Sequence, residues 1–140
     1  MNKILLALCI LISGIAHAET EAEKVIREYK DWYNNKHHTM VVCVTFFLYS
    51  SKRFENSDTR LSNGLGNVAK KYMDIIEIMG FDKRVTLARG EMFMQDISQN
   101  YNYEGSFSVL IAKYQNSCLS EYKSFEDELN YWTNKMDQNK

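Results

Sequence analysis

Proline is absent from all 140 residues. No position therefore deletes a backbone donor or clashes with a preceding turn, and long helices can run without a forced stop. An excess of basic charge is also missing. Lys and Arg number 17 against 18 Asp and Glu, a net charge of −1. The basic pairs Lys52-Arg53, Lys70-Lys71 and Lys83-Arg84 are scattered. This balance excludes the electrostatic footprint of a nucleic-acid binder. After residue 18 no second apolar run reaches the roughly 20 residues of a membrane-spanning helix. The mature chain is thus expected to be soluble, with no membrane span. Internal repeats, low-complexity linkers and signs of a second domain are lacking as well.

Familiar catalytic patterns are equally scarce. Ser62-Asn-Gly-Leu-Gly66 lacks the Gly-Lys-Ser/Thr ending and the preceding strand of a phosphate loop. The serines stand in no nucleophile elbow. His37-His38 has no third ligand at a standard zinc spacing and reads as a polar interhelix turn. Glu126-Asp-Glu128 reads as a solvated helix face rather than a carboxylate pair for glycoside cleavage. Methionines 73, 79, 92 and 94 are expected to fill irregular gaps in the core. No cofactor and no metal ion is implied.

What is present begins with a leader. Lys3 precedes the apolar stretch Ile4–Ile12, and Ala16-His17-Ala18 supplies a small-x-small end. This is the pattern of a cleaved secretory signal peptide over residues 1–18, leaving a single domain over 19–140 that begins at Glu19. Cys9 lies within the apolar stretch after Leu8, which is not small, so it is no lipoprotein cysteine. The two remaining cysteines, Cys43 and Cys118, are expected to pair, because an exported chain meets an oxidising compartment. In the chain-entropy model a loop of this length stabilises the fold by about 4–5 kcal/mol. A periplasmic or secreted location follows.

Hydrophobic spacing predicts an all-α bundle of four to five helices. Thr20-Glu-Ala-Glu23 is a capping box, and Val25, Tyr29, Trp32 and Tyr33 continue a helical face to about Asn34. Asn34–His38 then reads as a turn. Met40–Tyr49 is the densest apolar run of the mature chain. Its residues favour a strand on propensity, but no partner strand is available, so a buried central helix ending near Lys52-Arg53 is expected. Ser57 or Asp58 caps the next helix, whose stripe runs through Leu61, Leu65, Val68, Tyr72, Ile75 and Met79 and stops at Gly80. Asp82 caps a fourth helix with Val85, Ala88 and Met92 on its inner side and Phe93 and Ile97 on an adjoining row. Asn100–Gly105 reads as a loop. The final stripe, from Phe107 through Cys118 to Trp132, is long enough that a bend near Asn116-Ser117 or Ser120 is expected.

These features give a scaffold stapled by one disulfide and no catalytic constellation. The leading expectation is a non-enzymatic protein-binding module of inhibitor, immunity or accessory type, whose partner is another protein in the cell envelope or outside the cell. Tyr101 and Tyr103 are the candidate partner-binding residues, since loop tyrosines give large contact area at low entropic cost. The alternatives are a carrier of an apolar small molecule between helices, or an enzyme whose site assembles from scattered residues. A deep apolar cavity would favour the carrier, and a cleft of convergent acids and bases the enzyme.

Overall fold

The computed structural model describes residues 19–139. The expected leader, residues 1–18, lies outside them. Four helices make up the described chain: α1 (Glu21–Phe54), α2 (Thr59–Ile78), α3 (Lys83–Asn100) and α4 (Glu104–Asp137). They alternate in direction, and α1 is the central element against which the other three pack. Among the described residues no helix is long and apolar enough to cross a membrane.

The expected turn at Asn34–His38 does not exist, and α1 runs unbroken for 34 residues. No glycine or proline interrupts this stretch, and asparagine costs a helix only a few tenths of a kcal/mol relative to its neighbours. The polar residues that suggested a turn are instead buried contacts: Lys36 is 5% and His37 6% exposed. The helix starts at the capping box, with Thr20 Oγ1 accepting from Glu23 N at 3.2 Å and Glu23 Oε2 accepting from Thr20 N at 2.9 Å.

The apolar run within α1 is buried nearly all round, as a central position requires. Met40, Val41, Cys43, Val44, Phe46 and Phe47 all belong to the core. Three faces divide the work. Cys43 and Phe46 meet α4, Phe47 stacks with Tyr72 of α2, and Val41 and Thr45 receive α3. The disulfide joins Cys43 to Cys118 with Cα atoms 5.5 Å apart. It fastens the middle of α1 to the middle of α4.

The ends of α2 are built as its residues dictate. Asp58 Oδ1 accepts from Leu61 N at 2.9 Å. Gly80, at φ 66°, takes the left-handed position after the helix. The following Phe81 N donates back to Ile76 C=O, and Gly80 N to Glu77 C=O, closing a Schellman motif. Gly66 allows close approach, because a side chain there would meet Ser51 Oγ of α1 at 3.4 Å. Gly64 has no such neighbour.

Helix α3 starts where Asp82 Oδ1 accepts from Arg84 N and Val85 N. Its orientation differs from expectation. Ile97 is its one fully buried residue, while Val85 and Met92 point outward and Met92 is 72% exposed. The row that faces α1 includes Thr86 and Gly90, a hydroxyl and a missing side chain, which no count of apolar periodicity can mark. Helix α4 shows no break at Asn116-Ser117 or Ser120, so the described residues form four helices and not five. Ser117 Oγ donates to the Tyr114 carbonyl at 3.0 Å, satisfying its hydroxyl within the helix instead of ending it.

Candidate functional site

Three places concentrate chemistry. The first is a buried polar seam between α1 and the helices beside it. Lys36 Nζ lies 2.7 Å from Glu128 Oε2 and also pairs with Glu121. Trp32 Nε1 donates to Glu128 Oε2 at 2.7 Å, and Ser124 Oγ donates to Glu128 Oε1 at 2.8 Å. Burial pushes the Glu128 carboxyl up, but the bonds from Lys36, Trp32 and Ser124 outweigh it and hold the group below its ordinary value. Glu126 and Asp127 are exposed as expected, whereas Glu128 turns inward. Nearby, the Tyr72 hydroxyl donates to the Cys118 carbonyl. Burial, reinforced by Glu121, pushes this phenol far up, so it remains a donor. Every polar group in this seam answers another, which makes it a structural lock between α1 and α4.

His37 occupies the other side of the seam, stacked on Phe81 at 4.3 Å. Its Nδ1 lies 3.1 Å from Arg89 Nη1 and its Nε2 lies 2.7 Å from Thr86 Oγ1. A guanidinium has only donors, so Nδ1 must accept and the proton sits on Nε2. Thr86 Oγ1 accepts that proton's bond and donates its own to the Asp82 carbonyl at 2.8 Å. Burial, and then the Arg89 charge, lower the His37 pKa, with Asp82 opposing. The imidazole is thereby held neutral. Its neighbour His38 faces solvent. Among the described residues no group of three or more His, Cys, Asp or Glu side chains converges as metal ligands would.

The second place is the turn between α3 and α4, which carries Tyr101 and Tyr103. It is only three residues long, because Asn100 ends α3 and Glu104 already begins α4. Tyr101 is half-buried against the core, and its carbonyl accepts from the Tyr49 hydroxyl at 3.0 Å. Arg53 Nη1 donates to the Asn102 carbonyl at 3.0 Å. The turn is thus pinned to the end of α1. Tyr103 alone projects, at 67% exposure. The two rings thus differ in exposure, Tyr101 packing on the core and Tyr103 standing in solvent.

The third place was not visible in the sequence. An apolar groove of about 340 Å³ lies between α2 and α3, with α1 as its floor. Val41, Val44 and Leu48 of α1, Met73 of α2, and Leu87 and Met94 of α3 supply most of its lining. Leu87 is 57% exposed and Met73 44%. The methionine expectation therefore fails at two positions, since Met73 and Met92 lie at the surface. Gly90 keeps the floor open, because any larger side chain there would stand over Val41 and Thr45. The polar groups of the groove are already used internally: Thr45 Oγ1 donates to Val41 C=O, and Thr86 Oγ1 bonds Asp82 and His37. Glu91 is the single ionised side chain along its lining.

The class defined by the described residues is a four-helix, disulfide-joined α bundle with an apolar groove. Compared with family models, curated proteins and solved structures, the chain matches none of them.

Proposed function

We propose that this chain is a non-enzymatic protein-binding module, exported to the periplasm or beyond the cell, and that the α2–α3 groove receives a helix of its partner. The groove's exposed apolar lining carries the reading, since side chains such as Leu87 gain by leaving water. The choice of a helix follows from the groove's spent polar groups. An extended peptide laid there would bury backbone donors and acceptors with nothing to meet them. A helix satisfies its own backbone and presents apolar residues at steps of three and four. Methionines in the walls adapt to the incoming shapes, and Glu91 at the edge favours Lys or Arg on the partner. The export reading rests on the leader pattern together with the paired cysteines. An inhibitor, immunity or accessory role would each fit such a surface.

The test is affinity capture from an envelope extract with the oxidised protein, followed by reconstitution with the purified captured partner. Leu87→Asp should weaken the reconstituted complex by about 30-fold or more, the loss of a central contact worth about 2 kcal/mol. Its thermal stability should hold, since Leu87 is largely in water already. Tyr103→Ala is the parallel variant. Should Tyr103→Ala abolish binding while Leu87→Asp leaves it intact, the contact surface is the α3–α4 turn and the groove reading is wrong.

A further inference from the structure

Helix α3 carries two charges that the fold itself does not use. Arg84 and Glu91 are exposed, and among the described residues neither side chain takes part in an ion pair or a hydrogen bond. Arg84 stands in the first turn of α3, where the helix dipole disfavours a cation. Helices α1 and α4 place Glu21, Glu23 and Glu104 in that turn instead.

Arg84, Leu87, Glu91 and Met94 follow at steps of three, four and three, so they share one side of α3. Leu87, Glu91 and Met94 line the α2–α3 groove, and Arg84 continues their row toward the start of the helix. The row reads cation, apolar, anion, apolar, an order that complements itself only when reversed. About a twofold axis between Leu87 and Ala88, an antiparallel second α3 brings the two Leu87 side chains together. Arg84 and Glu91 lie about 5 Å along the helix from that axis, on opposite sides of it. Each Arg84 then stands level with Glu91 of the other copy, and two ion pairs flank the leucines. A parallel pair would set like charges face to face.

We infer that in the free protein the groove is filled by α3 of a second copy of this chain, in this antiparallel arrangement. The inference rests on the groove reading and names the occupant that a captured protein partner displaces. Each α3 is at once a wall of one groove and the helix received by the other, so the contact closes at two chains. The exposed side chains of Leu48, Met73 and Leu87 leave water together in both copies. One row of each α3 makes a small interface, and the dimer is of the transient kind.

The experiment is sedimentation equilibrium of the oxidised protein up to about 1 mM, a range that covers transient contacts. Wild type is expected to pass reversibly from monomer to dimer and no further. Leu87→Asp should stay monomeric. Arg84→Glu and Glu91→Arg each set like charges opposite one another, and each should weaken the dimer about tenfold. The double variant carrying both exchanges should regain wild-type association, and an equimolar mixture of the two single variants should form a mixed dimer. Melting temperatures at low concentration should hold for all of them, since these side chains are already in water. The inference is overturned if wild type stays monomeric throughout or grows beyond two chains. It is equally overturned if the single variants dimerise like wild type, or if the double variant does not regain what they lose. The groove reading is judged separately: a monomeric wild type whose reconstituted complex is still broken by Leu87→Asp loses the second copy and keeps the groove.

Discussion

Helices α3 and α4 both lie against α1, but they are held in opposite ways. Helix α4 is bound by a disulfide, by the Lys36 pairs with Glu121 and Glu128, and by an aromatic cluster in which Trp132 meets Trp32 at 5.9 Å and Tyr29 at 5.9 Å. Helix α3 has a single fully buried residue, Ile97, and leaves Leu87 and Met92 in water. It is tied by the His37 contacts at one end and Tyr101 at the other, with Gly90 against Val41 and Thr45 and Phe93 against Tyr114 between them. The contrast teaches where rigidity and adaptability sit. The α1–α4 pair is a frame, and α3 is the element with surface to spare. Binding surfaces draw on the less committed parts of a fold.

The sharpest way to break the frame is to open the bridge. Replacing Cys43 and Cys118 by alanine should lower stability by about 4 kcal/mol, through the freed unfolded chain, as read by urea unfolding. Helical content should persist, since each helix still buries its apolar face. A loss below about 1 kcal/mol would show that the other α1–α4 contacts hold the frame without it.

Lys36→Met comes next. It would leave Glu121 and Glu128 facing each other without their cation. Breaking a buried pair from one side costs about 3–5 kcal/mol. Equilibrium unfolding should show a loss at the lower end of that range, because both acids are partly exposed and Trp32 and Ser124 still bond Glu128.

The weaker tie of α3 should appear as a pH effect. The folded pKa of His37 lies below its ordinary value of 6.5. Below that value the unfolded chain therefore binds more protons than the folded one. The His37 contribution is complete above pH 6.5 and is lost as pH falls towards the folded pKa, with a slope of at most about 1.4 kcal/mol per pH unit for one proton. Unfolding measured from pH 7.5 to 5 should show this decline, and His37→Gln should remove it. Glu128, whose pKa is lowered from 4.5, contributes its own loss only at still lower pH.

The smallest effect sharpens the comparison from the other direction. A side chain at Gly90 would meet Thr45 and Val41 at 3.7 and 3.8 Å, ordinary contact distances. Gly90→Ala should raise stability by about 0.5–1 kcal/mol, the usual gain of alanine over glycine inside a helix. A loss in thermal unfolding would mean that α3 sits closer to α1 than described.

Much of the frame was legible in the sequence, and most of the adaptable side was not. The capping box at Thr20, the stop at Gly80, the cap at Asp82 and the pairing of Cys43 with Cys118 are all local or compositional signals. Asn34–His38 misled because the partners that make Lys36 and His37 tolerable inside a helix lie about 50 to 90 residues away. The inner row of α3 was misread because one of its closest contacts with α1 is made by a glycine. The groove was invisible for a related reason. Its walls come from three helices, and exposed apolar residues such as Leu87 break the rule that apolar positions mark the core. Tyr101 and Tyr103 stood out as loop aromatics, yet one of them belongs to the packed end of the bundle.

The bridge has a further consequence in the covalent outline of the molecule. Because it joins Cys43 to Cys118, both α2 and α3 belong to a closed ring of chain, and the outer halves of α1 and α4 extend from that ring as two arms. A protease cutting once within the ring, at the Gly80 turn for example, would leave a single molecule of unchanged covalent connectivity across the frame. A cut in either arm would release a fragment held by non-covalent contacts, among them those of Trp32, Lys36, His37 and Trp132 and the Glu28–Lys135 pair. The groove-bearing helices can thus be nicked and still be carried by the frame, while the arms depend on their side chains alone to stay together.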